Sequence, residues 1–295
     1  MTAQIIDGNA LSQTIRDEVK ASTVGFVARH GFAPGLAVVL VGENPASMSY
    51  VRGKERDGIE VGFHAETIRR AADITQDALL GLVADLNADR RFHGILVQLP
   101  LPAHIDSDVV IAALDPRKDA DGLHAANMGR LLQGMGRLIP CTPRGVQEML
   151  LRTGNDPGGK HVVICGRSNL VGKPLAALLV QKAPGANATV TLCHTGTRDL
   201  ASFTRQADIL VAATGVPRSI TADMVREGAV VIDVGINRVE AAGTKSGFRL
   251  AGDVDYVAVA EKASAITPVP GGVGPMTRAM LLVNTLTAAE ALAGA

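Results

Sequence analysis

Apolar runs without interruption alternate along this chain with segments whose apolar positions recur at helical spacing. In the first half, an amphipathic stretch near Leu11 to Val27 predicts a helix. It is followed by Gly35 to Val41 (GLAVVLV), a β-branched run of the kind buried on both faces of a parallel sheet. Asn44 reads as a helix cap with Pro45 at the first helical position, and the helix should run on toward Gly62. A second strand is expected around His64 to Ile68, a helix from Thr75 to Asn87, and a third strand from His93 to Gln98. The second half repeats the alternation with apolar strands at Lys160 to Gly166, Thr189 to Cys193, Ala207 to Ala213 and Ala229 to Val234, and a helix at Leu175 to Gln181. Thr267 to Thr277 is too rich in Pro and Gly to predict regular structure, and an amphipathic helix, Arg278 to Leu292, closes the pattern. The reading is an α/β protein of two lobes around a cleft: residues 1–141, onto which a helix at 277–295 packs back, and a Rossmann-type lobe at 142–276.

Length agrees, since 295 residues suit two domains better than one. Lys plus Arg and Asp plus Glu both number 29, so no basic surface advertises nucleic acid or an anionic membrane, and a small-molecule partner is favoured. The three cysteines (Cys141, Cys165, Cys193) are far apart and form no CxxC pair. His64, His93, His104 and His124 lack partners at ligand spacing, so neither a disulfide framework nor a metal site is indicated. The N-terminus lacks a signal pattern and no apolar run reaches membrane-spanning length, which makes the cytoplasm the default.

The candidate chemistry concentrates at strand ends, where ligands of such sheets sit. Ser49-Tyr50-Val51-Arg52-Gly53-Lys54 follows the first long strand, and helical spacing puts Tyr50 and Lys54 one turn apart on one face. Gln98 ends the third strand on the same edge. Asp121, beside the permissive Gly122, could accept two parallel hydrogen bonds from an amidine-like edge such as a pterin's. Taken singly, Lys54 also fits a solvated surface charge, Gln98 a strand-end polar group and Asp121 a surface loop.

In the second lobe, Gly166 to Gly172 with five residues between is a strand, glycine loop and helix in the order of a dinucleotide site, although not GxGxxG. From Gly166 through Arg198 there is no Asp or Glu to take a ribose 2′-hydroxyl, while Arg167, Ser168, Thr195 and Arg198 suit a 2′-phosphate. NADP is therefore expected over NAD. The Thr214-Gly215 and Gly235-Ile236-Asn237 loops should line the cofactor. Pro268 to Thr277, with Gly271 and Gly272, is either a pocket wall or a proline-stiffened linker.

NPASMSYVRGK (Asn44 to Lys54), GILVQLPLP (Gly94 to Pro102), DADGLHAANMGRL (Asp119 to Leu131), PCTPRG (Pro140 to Gly145), GRSNLVGKP (Gly166 to Pro174) and PVPGGVGPMT (Pro268 to Thr277) occur in this order. With them the chain resembles the bifunctional methylenetetrahydrofolate dehydrogenase and methenyltetrahydrofolate cyclohydrolase family over nearly its whole length. Ala120, where valine is more usual, and Leu170, where isoleucine is common, depart from that pattern without touching a chemical role. The resemblance implies folate on the first lobe, NADP on the second, and a homodimer paired through the cofactor lobe. It implies Lys54 as the proton-handling residue of hydrolysis, Gln98 positioning its amine, Asp121 on the pterin edge, and Tyr50 stacked on the aminobenzoyl ring beside Ser49. Pro268, Gly271 and Gly272 would touch substrate, and Gly166, Arg167, Ser168, Thr195 and Ile236 the cofactor. Two rival readings share the second lobe: a bilobal NADP dehydrogenase of a small hydroxy or amino acid, and an NADP-sensing regulator. The first leaves Tyr50, Gln98 and Asp121 without a task, and the second calls for a specialised partner surface.

Overall fold

In the computed structural model, which describes residues 3–241, 243 and 247–294, the chain divides into two compact units. One comprises Gln13–Cys141 with the chain from Arg278 onward; the other comprises the chain up to Ser12 with Thr142–Thr277.

The first unit carries a parallel sheet in the order His64–Arg70, Gly35–Val41, Gly94–Val97. The apolar run at Gly35–Val41 takes the central place because all seven of its residues are buried. Helix Gln76–Ala88 buries Leu79, Val83 and Leu86 in a cluster with Val39, Ile95 and Val97, and begins where the Thr75 hydroxyl accepts from the Ala78 N–H at 3.2 Å. Helix Pro45–Glu60 starts where the Asn44 side chain accepts from the Ser47 N–H at 3.2 Å. It follows the central strand directly and so stands at that strand's carboxyl end.

The second unit holds a parallel sheet in the order Gln4–Ile5, Ala265–Ile266, Val230–Asp233, Ile209–Ala212, His161–Cys165, Thr189–Cys193. The reversal of strand order about His161–Cys165 is the topological switch of a doubly wound fold. Its core packs Val163, Leu210, Val231 and Ile266 with buried Cys165 and Cys193. An antiparallel ribbon, Asn237–Glu240 with Phe248–Ala251, stands apart from the sheet.

Three boundaries differ from the sequence reading. Residues 3–12 group with the second unit, not with the lobe that follows them, because Gln4 and Ile5 pair in parallel with Ala265 and Ile266. Two-residue strands are too short to announce themselves by periodicity. The final helix runs Val273–Ala293, beginning five residues earlier than Arg278, with Pro275 in its first turn. A proline is tolerated there because the first-turn N–H has no intrahelical partner. The same rule lets Pro174 sit inside Gly172–Leu179, a helix expected to begin at Leu175.

Candidate functional site

Within the first unit, Tyr50, Lys54, Gln98 and Asp121 converge. Lys54 is 4% exposed despite its charge. Its Nζ donates to Gln98 Oε1 at 2.9 Å and lies 5.0 Å from the centre of the half-buried Tyr50 ring. Gln98 Nε2 donates to its neighbour's carbonyl, Leu99 O, at 2.7 Å, which fixes the amide so that its oxygen faces the lysine. The Gln98 N–H meanwhile continues the sheet by donating to Val39 O at 2.9 Å. Burial pushes the Lys54 ammonium below the usual lysine value. Asp121 and Cys141 act in the opposite sense, and Arg278 adds to the lowering. A buried amine whose direct partner is a neutral amide can exchange its proton far more readily than a solvated lysine. Ser49 is exposed on the same helix.

Asp121 is held in place by a carboxylate that the sequence reading passed over. Asp119, 1% exposed, accepts from Gly122 N at 3.1 Å, His124 N at 2.8 Å and Asn127 Nδ2 at 2.8 Å. Burial pushes its carboxyl up, and these donors work against that push. Gly122 sits at φ +75°, and a Cβ there would press on Ile139 and Pro140, so only glycine fits this turn. Asn284 of the final helix closes the loop by donating to Ala120 O at 2.9 Å and Ile139 O at 2.8 Å. Asp121 itself is half-buried and has its backbone oxygen on Cys141 N at 3.2 Å.

In the second unit, a pocket of about 300 Å³ opens at the carboxyl ends of the central strands. Gly166, Arg167, Ser168, His194, Thr195 and Thr214 contribute to its lining. Gly166 adopts φ +136° and a Cβ on it would collide with Ala213 O; a Cβ on Gly172 would collide with Gly166 O. Strand, loop and helix start are thus packed backbone to backbone, which turns the N-terminus of Gly172–Leu179 toward the loop. Ser168 Oγ secures the turn by accepting from Val171 N at 3.1 Å. The first acid after the acid-free run, Asp199, caps the following short helix through Ser202 N at 3.3 Å. It is thereby occupied as a capping acceptor. These features suit a dinucleotide phosphate at the glycine loop. Ile236 lies outside the pocket lining, 55% exposed on the loop after Val230–Asp233.

Sequence reasoning also missed what stiffens this pocket. Asp253, fully buried, accepts from Thr214 N at 2.6 Å, Gly215 N at 2.9 Å and Asn237 Nδ2 at 2.8 Å. Beneath it, Asp233 accepts from Gly235 N and Asp253 N at 2.9 Å and from Val254 N at 3.0 Å. Burial pushes the Asp233 carboxyl up to about 6, against those donors and with help from the neighbouring Asp253 charge. Gly252 permits this approach, since a Cβ there would run into the Asp233 carboxylate. Pro268, Gly271 and Gly272 belong to this unit as well. They form the loop before the final helix, where a side chain on Gly8 would collide with Gly272 O.

Known proteins resemble this chain over its whole length. Residues 6–121 match the tetrahydrofolate dehydrogenase/cyclohydrolase catalytic domain, and residues 140–293 match the NAD(P)-binding domain of the same family. The bifunctional protein FolD of Salinibacter ruber is 59% identical over 288 residues, covering 98% of this chain and 96% of that protein. FolD of Syntrophus aciditrophicus is 53% identical over the full length of both. Among solved structures, the Trypanosoma brucei methylenetetrahydrofolate dehydrogenase-cyclohydrolase, complexed with NADP cofactor and inhibitor, superimposes with a TM-score of 0.94 at 38% identity, covering 100% of each chain. The Campylobacter jejuni bifunctional enzyme gives 0.91 at 46% identity, covering 98% of this chain and 99% of that one. The fold, the two family domains in order and the identity over the whole length establish that this chain belongs to the tetrahydrofolate dehydrogenase/cyclohydrolase family.

Proposed function

We propose that this chain oxidises 5,10-methylenetetrahydrofolate with NADP and hydrolyses the resulting methenyl compound to 10-formyltetrahydrofolate, with Lys54 as the group that handles the proton of the second step. The observation that carries the assignment is the buried Lys54 ammonium bonded at 2.9 Å to a neutral, orientation-locked Gln98.

NADP supplies the hydride acceptor, and the glycine loop with Arg167, Ser168 and Thr195 is the part of this chain that would hold its phosphates. Loss of hydride from the methylene carbon leaves a cation shared by N5 and N10, so that step moves no proton and needs chiefly alignment. Tyr50 offers a ring face for the aminobenzoyl group, and Asp121 offers a carboxylate for the pterin edge, with Ser49 on the helix that carries Tyr50. Hydrolysis differs. Water adding to the methenyl carbon must lose a proton and one nitrogen must gain one before the ring opens, so an acid–base group is required. The lowered proton affinity of Lys54 suits it to give up and take back a proton in this step.

Lys54→Met keeps the length and apolar stem but removes the amine. Hydrolysis should fall by about 100-fold to 10,000-fold, the usual cost of losing a general acid or base. Oxidation should fall much less. Both initial rates measured on one preparation decide the matter: equal proportional losses would refute the role of Lys54.

The reading extends to a cytoplasmic homodimer that binds neither nucleic acid nor membrane. The balanced charge of the chain and the buried, free state of all three cysteines support the setting. Exposed Phe248 and Leu250 on the antiparallel ribbon support pairing through the cofactor unit.

A further inference from the structure

Helix Pro45–Glu60 carries more on the Lys54 face than the two residues the chemistry uses. Tyr50, Gly53, Lys54 and Asp57 recur at positions i, i+3, i+4 and i+7, one continuous stripe. Asp57 is 1% exposed, and Arg278 from the final helix brings its Nε to 3.3 Å from Asp57 Oδ2. The far end of that guanidinium lies over Gly53, where a Cβ would collide with Arg278 Nη1. Glycine is among the poorest helix formers, so its place in mid-helix asks for a reason. Here the reason is the space it leaves for the Arg278 guanidinium on the stripe that also carries Lys54.

We propose that Arg278, anchored by Asp57 and admitted by Gly53, is a positioning residue that sets how readily Lys54 releases its proton, and hence where on the pH axis the hydrolytic step operates. The proposal rests on the reading of Lys54 given above.

The groups around the lysine make the division of labour explicit. Asp121 approaches from the loop beyond the third strand of the first unit, Cys141 from the end of that unit's chain, Arg278 from the final helix, Tyr50 from the lysine's own helix, and Gln98 contributes only a neutral amide. Burial is the largest influence and disfavours the ammonium; Asp121 and Cys141 favour it; Arg278 alone among the charged neighbours disfavours it. Arginine stays protonated at every working pH, so its bias on Lys54 is constant. A guanidinium on the helix face that carries the lysine needs a counter-charge. Asp57 provides it, with Arg278 Nε at 3.3 Å from one oxygen and exposed Arg56 at 3.2 Å from the other. The arrangement holds the guanidinium where its field reaches Lys54 and leaves the lysine without a carboxylate partner of its own.

The test is the pH profile of methenyltetrahydrofolate hydrolysis, followed by loss of its absorbance. Arg278→Met removes the fixed cation, so the limb of the profile governed by Lys54 should move to higher pH. Gly53→Ala should move it the same way, because the methyl group displaces Nη1 while helix propensity improves. Arg278→Lys restores a charge without the planar guanidinium and should return the limb part of the way. Hydride transfer, which consumes no proton, should keep its own profile in all three. Unmoved limbs in Arg278→Met and Gly53→Ala, or equal losses of both activities at every pH, would overturn the proposal. If Arg278→Met does not fold by circular dichroism, Gly53→Ala decides alone. Failure here leaves Lys54 as the acid–base group, whereas failure of the Lys54→Met experiment removes that reading itself.

Discussion

Asp253→Asn is the substitution that best isolates how the cofactor pocket is held. The wild-type carboxylate takes Thr214 N and Gly215 N on one oxygen and Asn237 Nδ2 on the other, all in a site closed to solvent. An asparagine of the same shape can still turn its oxygen to the two backbone donors, but those bonds lose their charge assistance, roughly 1 kcal/mol each. Its amide nitrogen then meets the Asn237 amide, which must flip and give up its 3.3 Å bond to Ala251 O. Against these losses stands the relief of repulsion with Asp233. The net local cost is about 2 kcal/mol, or about 30-fold in the opening of the loop at 214–216. Amide exchange at Thr214 and Gly215, measured by NMR under conditions where opening is in rapid equilibrium, should accelerate by about that factor, and NADP should bind several-fold more weakly by calorimetry. A second readout follows from the Asp233 carboxyl, raised to about 6 by burial first and the Asp253 charge last. A carboxyl raised on folding contributes stability that is present below the ordinary carboxylate value and is lost as pH rises through about 6. Removing the Asp253 charge should lower that midpoint and flatten the loss. Unchanged exchange at Thr214 and Gly215 together with an unchanged Asp233 titration would refute the account.

Three further outcomes are expected. Arg167→Ala should raise the Michaelis constant for NADP selectively and narrow the preference over NAD; equal efficiency of the unmodified enzyme with both cofactors would sink the argument from the acid-free run between Gly166 and Arg198. Asp121→Asn presents a donor where the pterin edge needs an acceptor, so both activities should drop together while NADP affinity measured by calorimetry stays put; normal folate kinetics would reduce Asp121 to a surface acid. Phe248→Asp combined with Leu250→Asp should convert a dimer to a monomer in sedimentation velocity, and an unchanged sedimentation coefficient would show that pairing uses another surface.

The parallel strands in the sheet interiors were legible because burial on both faces demands continuous apolar runs, and Gly35–Val41, His161–Cys165 and Val230–Asp233 lie within the runs that announced them. Helix starts were legible where a side chain caps them, as at Asn44 and Thr75. What escaped lacks such local marks. Gln4–Ile5 is a strand only because Ala265–Ile266 lies beside it, and the ribbon Asn237–Glu240 with Phe248–Ala251 mixes exposed polar and apolar positions. Arg278 could not be placed against Gly53 without knowing that 224 residues of intervening chain return the final helix to the Lys54 unit.

Carboxylates show most plainly what a sequence leaves open. In Asp119-Ala120-Asp121-Gly122 either acid could face a ligand, and charge, spacing and neighbours are nearly alike. The structure separates them by hydrogen-bond capacity. Asp119 spends its oxygens on Gly122 N, His124 N and Asn127 Nδ2, so a pterin could reach it only by displacing donors that hold the loop. Asp233 and Asp253 are committed to backbone and amide donors in the same way, while Asp57 is held by its ion pairs with Arg278 and Arg56. Asp121, half-buried on the same turn, shares its carboxylate only with the neutral Cys141 thiol, which a pterin edge offering two parallel donors could replace. Asp121 is for this reason the acid we propose for the pterin edge. Replacing Asp119 would therefore harm folate binding through loss of order in the turn, whereas replacing Asp121 would harm it through loss of the acceptor alone.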